Sequence, residues 1–424
     1  MKKSANKWEG YGMNNWLYKS VKELCTHIID CRNKTAPVIE TPTPYRMLRT
    51  SNVRNGYVDT SSLRYVSKQT FDIWTSRGRL MDGDVIFTRE APLGEVGLLR
   101  KAENLFLGQR LVLFRADPKI CYNWFLNYAL LSPWVKNKIC GSGGGSIVSH
   151  LRVPDCESIK IRIPSSIETQ KDIADTLRLI DEKIAINKAL NHNLEAMAQA
   201  IYDYWFVQFD FPDENGKPYK SSGGKMVWND QIQRKIPEGW KVISLEKLIN
   251  PLSTGRLDAN CATIDGKYPF FTCSKAPLKI DSFSYDTSAI ILAGNGEFYT
   301  FCYDGKFDVY QRDYVIIPKR PESKYYLYMT INEHLRILKC NAQGSIIKFL
   351  TKGMVENIPV YSFDFERFRF EIKTINAIYK KIENNLAEID KLCSLRDFLL
   401  PLLMNGQVTV TPQGEVLNYD LAAH

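Results

Sequence analysis

Paired cysteines are missing from this chain: its ten cysteines never fall as CxxC, and only five histidines accompany them. That spacing excludes the common structural zinc arrangements, so no metal site is expected. The thiols then read as small, mostly buried hydrophobes of a reducing compartment. Long apolar runs are missing too. No stretch approaches the ~20 residues that cross a bilayer, and MKKSANKWEG leads into no apolar block of a signal peptide. The expectation is a cytoplasmic protein with no membrane partner. The strings of catalysis are equally scarce. Neither NPPY nor DPPY, which would hold a flipped adenine in a methyltransferase, occurs. GSGGGS (Gly141 to Ser146) lacks the GK[ST] ending of a phosphate loop and reads as a turn, or as backbone able to approach a phosphate. PDCESIK (Pro154 to Lys160) sets its carboxylates too close along the chain for a nuclease centre. No catalytic residue and no bound cofactor are expected.

What is present is a diverged duplication. WLYKSVKEL (Trp16 to Leu24) returns as WKVISLEKL (Trp240 to Leu248), GGGSI (Gly143 to Ile147) as AQGSI (Ala342 to Ile346), and RIP (Arg162 to Pro164) as NIP (Asn357 to Pro359). The offset falls from 224 at the tryptophans to 199 and 195, then holds at 198 along IDEKIAINKAL (from Ile180) and IYKKIENNLAE (from Ile378). Insertions and deletions therefore sit in the globular parts, while the helical parts stay in register. Two related units on one chain imply approximate internal two-fold symmetry, and duplex DNA is the commonest two-fold partner.

Apolar positions step by three and four along Ile173, Leu177, Ile180, Ile184, Asn187, Asn191, Leu194, Ala198, Ile201 and Trp205. The second half repeats the pattern in Ile375, Ile378, Ile382, Asn385, Ile389, Leu392, Arg396, Leu399 and Leu403. This is a coiled-coil seam. Each helix of about 39 residues would be nearly 60 Å long at ~1.5 Å per residue, too long to bury its seam on one small domain, so the two are expected to pair. Were the pair antiparallel, its midpoints would meet and Asn187 would face Asn385, fixing the register; the alternative is that both asparagines point to solvent. The helical stretches, 168–206 and 366–404, together carry a charge of −2, which leaves +11 on the remainder of a chain whose net charge is +9. The positive charge lies in the globular parts, where a polyanion is gripped.

Ser165 or Ser166 is placed to cap the first helix, and Asp210 to Lys225, dense in Gly, Pro and Ser, reads as a linker that is echoed after the second helix. Residues 1–167 and 238–365 read as α+β domains. DVIFT (Asp84 to Thr88), RLVLF (Arg110 to Phe114), AIILA (Ala289 to Ala293) and YVIIP (Tyr314 to Pro318) are strand-like, while Trp124 to Ile139 and Lys324 to Leu338 are helical. Base reading needs Arg, Lys, Asn and Gln able to pair hydrogen bonds in the major groove. The first domain offers Arg46, Arg49, Arg54, Arg89, Gln109 and Arg110; the second offers Lys275, Asn295, Gln311, Arg312 and Lys348. Gln109-Arg110 and Gln311-Arg312 match at an offset of 202, which hints at a shared role.

The repeat plan, the paired heptad helices, DFPDENGKPYKSSGGKMVW and the IPEGW restart together resemble the specificity subunit of a type I restriction-modification system, over nearly the full chain. The resemblance implies two mixed α/β target-recognition domains (1–167 and 238–365) and two long helices (168–206 and 366–404) forming an antiparallel coiled coil with pseudo-two-fold symmetry. A linker (207–237) and a tail (405–424) complete the chain. It further implies a non-catalytic subunit that reads a bipartite, asymmetric site in double-stranded DNA and docks two modification subunits, joined by restriction subunits. S-adenosylmethionine, ATP and Mg would sit on those partners. The seam residues Ile180, Ile184, Asn187 and Leu194 would pack with Ile378, Ile382, Asn385 and Leu392. A self-contained DNA-acting enzyme, such as a nuclease with an unfamiliar site, is the alternative, and a bare scaffold without sequence preference is a third reading.

If rigid helices set the spacing, four residues inserted after Ala196 displace a domain by ~6 Å, roughly two base pairs at ~3.4 Å each. The expected outcome is a methylated motif whose unread spacer changes length in methylome sequencing; an unchanged spacer removes the ruler.

Overall fold

The computed structural model describes residues 15–139, 150–341, 349–410 and 416–418. They form two compact units, one built from 1–186 with 388–424 and the other from 187–387.

In the first unit, DVIFT and RLVLF become the strands Val85–Thr88 and Leu111–Ala116, neighbours in a six-stranded sheet. Their alternation feeds two cores. Val85, Phe87, Val112 and Phe114 pack with residues of the helix Asn123–Leu131, whereas Ile86, Leu111 and Leu113 pack with Leu48 and Val53 on the other face. Both faces are covered, so the strands are apolar throughout rather than alternating with polar residues. The sheet order is Cys25–Asp30, Leu111–Ala116, Val85–Thr88, Val96–Leu98, Gly56–Val58 and Val53–Arg54. A separate ribbon pairs Trp16–Ser20 with Lys160–Pro164. Ser20 then caps the short helix Val21–Leu24 in a reciprocal box with Glu23.

The second unit repeats this frame. Its sheet runs Ser253–Thr254, Asp313–Ile316, Tyr285–Ala293, Thr300–Val309, Tyr268–Phe271 and Leu278–Ile280. Within each sheet the fourth and fifth strands are parallel, Gly56 opposite Gly97 and Phe270 opposite Asp308. Lys241–Ser244 pairs with Pro359–Ser362 as Trp16–Ser20 pairs with Lys160–Pro164. The sixth strand differs: Val53–Arg54 precedes its partner in the chain, whereas Leu278–Ile280 follows its own. Lys324–Asn341 is one helix as expected, but Trp124 to Ile139 divides into Asn123–Leu131 and Pro133–Ile139. Pro133 forces Ser132 into an extended conformation (ψ 141°), which ends the first of them.

The heptad patterns form two helices of 36 residues each, Ile167–Tyr202 and Arg369–Met404, about 54 Å at ~1.5 Å per residue. Ser166 supplies the first cap, accepting from Thr169 N. The unit boundary falls inside both helices, after Ile186 and after Ala387, near the midpoints read from the sequence. Within the first unit, Ile173 and Leu177 share a core with Leu399 and Leu403. Within the second, Ala198 and Tyr202 share one with Ile375, Ile378 and Ile382. Rising numbers on one helix meet falling numbers on the other, so the pairing is antiparallel. Ile184 is buried, Ile180 and Leu194 are half-buried, and Leu392 is half-buried. Toward the end of the first helix the buried positions move from Ile201 and Trp205 to Tyr202 and Phe206, where Asp203–Val207 widens into a π turn.

Each unit holds a polar layer in this seam. In the first, the Asp181 carboxylate is buried and accepts from Arg396 Nη1 (3.1 Å) and from Tyr128 Oη (2.8 Å). In the second, Asn187 and Asn385 are both buried, at 2% and 3% exposure, but the amide that Asn385 Nδ2 meets is Asn191 Oδ1, at 2.8 Å. The partner lies one turn beyond the residue expected from midpoint alignment. Helical side chains lean toward their own N-terminus. In an antiparallel pair Asn191 and Asn385 therefore lean toward each other, while Asn187 leans away.

The stretch that reads as a linker is part of the second core. Phe209 and Phe211 are fully buried against Trp240, Phe211 stacking on it at 5.3 Å. Asp210 ties the loop by accepting from Ser221 N and Oγ, at 2.7 and 2.6 Å. Met226–Asn229 and Arg234–Pro237 close a hairpin. Aromatic anchors outweigh the Gly and Ser composition. The echo in the tail is structural: Pro212 opposes Pro218, and Val410 opposes Val416 at the same offset of 198. In the first unit it is the tail of the second helix that covers the opening tryptophan. Gly406, at φ 69°, brings its backbone so near Trp16 that a Cβ would lie 3.0 Å from the ring, and Arg162 stacks on that ring while donating to Asn405 O.

Replacing Asn191 by Leu leaves the Asn385 amide buried without its acceptor, and unfolding free energy in denaturant is expected to fall by about 1–3 kcal/mol. Replacing both by Leu is expected to recover most of it, which is what separates a register device from a source of stability.

Candidate nucleic-acid interface

The second strand of each sheet is preceded by Gln-Arg, and in both units this places the arginine beside the residue that follows the third strand. In the second unit, Gly294 follows Tyr285–Ala293 and accepts from Leu350 N at 2.8 Å. A Cβ on Gly294 would lie 2.0 Å from Arg312 O, so only glycine permits this crossing. Asn295 comes next. With its amide turned so that Nδ2 donates to Gly294 O (2.9 Å), its Oδ1 accepts from Arg312 Nη1 (3.1 Å). Asn295, Gln311 and Arg312 thus converge, and with Thr254, Tyr314, Phe349 and Leu350 they line an open cleft of about 460 Å³.

In the first unit, Arg89 follows Val85–Thr88 and accepts from Leu151 N at 3.0 Å, while its own N–H donates to Arg110 O at 2.8 Å. Glu90 comes next, 3.4 Å from Arg110 Nε and 3.5 Å from His150 Nδ1. Gln109 and Arg110 are exposed, and Gln109 Oε1 accepts from Thr35 Oγ1 at 3.1 Å. Arg110 sits at φ 70°, a left-handed conformation uncommon outside glycine and often kept where a side chain must be aimed.

The remaining candidates are placed differently. Arg89 is only 4% exposed, its guanidinium 3.0 Å from the Asp30 carboxylate, so it supports the site from behind and is not offered to a ligand. Arg49 donates to Ser62 O, and Arg54 donates to Thr50 O and Val53 O, so both brace the segment between residues 50 and 62. Arg46 lies half-buried in the strand Arg46–Leu48, in a three-stranded sheet with Leu105–Leu107 and Arg64–Tyr65. Lys275 is exposed after Tyr268–Phe271. Lys348 and GSGGGS lie outside the described residues. Glu90, which sequence reasoning did not single out, owes its place to the sheet; in sequence it is one more surface carboxylate beside an arginine.

Asp313, next to Arg312, is buried. Its Oδ1 accepts from Cys273 Sγ and Gly294 N, and its Oδ2 has no hydrogen-bond partner among the described residues. Burial lifts its pKa to about 6, against the bonds from Cys273 and Gly294, and burial together with the Asp313 contact lifts the Cys273 thiol to about 12. Among the described residues no group of three or more His, Cys, Asp or Glu side chains is arranged to hold a metal, and no helix is long and apolar enough to cross a membrane.

Comparison with known proteins follows the same outline. The family model for the type I restriction modification DNA specificity domain matches residues 13–196 and 237–361. The specificity subunit of the Escherichia coli type I restriction enzyme EcoDI is 36% identical over 179 residues, 41% of this chain and 40% of that protein, so the match spans two fifths of its length. The MjaIX specificity subunit of Methanocaldococcus jannaschii is 24% identical over 355 residues, 77% of this chain and 78% of that protein. The crystal structure of the type I restriction-modification S subunit from M. genitalium shares the fold at a TM-score of 0.59 and 18% identity, over 92% of this chain and 96% of that one.

The buried Asp313 carboxyl has its folded-state pKa, about 6, above the ordinary value of 3.8. The folded state therefore holds the extra proton between these values, and stability falls as pH rises from about 4 to about 6. Asp313→Asn is expected to flatten that decline and to stabilise the chain by about 1–3 kcal/mol at pH 7, read from denaturant unfolding at several pH values.

Proposed function

The chain belongs to the type I restriction-modification DNA specificity family, and on that premise we propose that it is the DNA-reading subunit of such a complex, each of its two recognition domains taking one half of a bipartite, asymmetric site. The observation that carries this reading is the duplicated frame: the same sheet occurs in both units, and each sheet sets a Gln-Arg pair at the head of its second strand. An arginine with a neighbouring Glu or Asn is the chemistry of direct base reading. The excess positive charge on the globular parts supplies attraction to the phosphates.

Docking belongs to the helices. Leu179, Ile186, Leu190 and Met197 are exposed along the first long helix at spacings of seven, four and seven residues, a second apolar stripe beside the buried seam. Phe398 is exposed on the second helix. Such stripes suit the modification subunits, two per chain, with restriction subunits joining the assembly. Those partners would bind S-adenosylmethionine, ATP and Mg, in the cytoplasm. The rival reading, a self-contained nuclease, differs in one simple respect: it requires the purified chain to cut DNA unaided.

Exchange of 238–365 for the matching segment of a relative tests the division of labour. With the modification partner present, one half of the methylated motif is expected to change and the other to stay. Alteration of both halves would defeat modular reading, and cleavage by the chain alone would favour the nuclease.

A further inference from the structure

Arg110 and Arg312 occupy the same place in the two sheets. Each heads the second strand, and each backbone carbonyl is crowded by the residue that follows the third strand, Arg89 or Gly294. That residue in turn accepts from a leucine amide, Leu151 or Leu350. The next side chain reaches back to the arginine, and here the copies part. It is Glu90 in the first unit, 3.4 Å from Arg110 Nε, and Asn295 in the second, 3.1 Å from Arg312 Nη1. The arginine is constant and its partner is not.

We propose that these pairs are the two versions of one base-reading position, Arg110 and Arg312 each engaging a guanine while Glu90 and Asn295 set the neighbouring base, a cytosine in one half-site and an adenine in the other. This rests on the chain being a DNA-specificity subunit. Arginine presents two parallel N–H groups that match guanine O6 and N7; a carboxylate accepts from the cytosine amino group; an asparagine amide both accepts from and donates to adenine. A phosphate contact is the other use of an exposed arginine, and the carboxylate of Glu90 argues against it, since it repels a phosphate while it accepts from an amino group. Both arginines are exposed, and neither is spent inside the fold as Arg89 is on Asp30. The left-handed backbone at Arg110 aims its side chain. A duplicated frame that differs at one partner is a simple route from a symmetric fold to an asymmetric site.

The test is a reciprocal exchange in the full chain, Glu90→Asn and Asn295→Glu, each co-expressed with the modification partner and read by methylome sequencing. Binding of the purified complexes to sequence-randomised duplexes is measured in parallel. Glu90→Asn is expected to replace one cytosine by adenine in one half-site, with binding to the original site weakened about tenfold to a hundredfold. Asn295→Glu is expected to do the converse in the other half-site. Unchanged motifs, a shift of both half-sites by one variant, or an equal loss over all sequences would overturn the proposal. A wild-type complex that methylates a bipartite motif keeps the specificity reading intact whatever the variants do. One without sequence preference would overturn that reading and this proposal together.

Discussion

Two helices of 36 residues with largely apolar seams cannot be satisfied by the domains that precede them in the chain, and the rest of the structure is arranged around that burial. Each compact unit takes part of both helices: the second is the unbroken segment 187–387, whereas the first is assembled from two segments, 1–186 and 388–424. The tails follow the same logic. Residues after the first helix cover Trp240 in the second unit, and residues after the second helix cover Trp16 in the first. Polar layers interrupt the seams at Asp181 with Arg396 and at Asn191 with Asn385.

Against this constrained scaffold, the two six-stranded sheets share a frame and differ at their edges. Strand order, the single parallel pairing and the two-faced core recur in both units, while the sixth strand is supplied from opposite sides of its partner in sequence. The strand-head position repeats in backbone and differs in side chain. Inside the fold, Arg89 neutralises Asp30 in the first unit, whereas the second unit has Gly294 at that place and a buried Asp313 nearby. A shared backbone with different electrostatic surroundings lets one ancestral design present two chemistries.

Much of this was legible from periodicity. The seam positions Ile184, Ile378, Ile382, Asn385 and Leu403 are buried, and the four strand-like runs became the second and third strands of the two sheets. Legibility ended where local composition and tertiary packing disagree. Asp210 to Lys225 has the glycine and serine content of a linker, yet Phe211 and Tyr219 stack at 4.8 Å and join the core. Arg89 has the look of a DNA contact until Asp30 is seen beside it. Glu90 and Arg110 are 20 residues apart in sequence, and nothing but strand pairing brings them together.

By itself the sequence determined the duplication, the two long helices and the family resemblance, because repeats and heptad periods are properties of spacing along one chain; the antiparallel direction of the helix pair came only as an implication of that resemblance. The tertiary structure alone decided which asparagines meet, since that depends on the lean of side chains between two helices. It also decided which arginines remain free to meet a ligand, since that depends on which carboxylates the sheet brings within reach of each guanidinium.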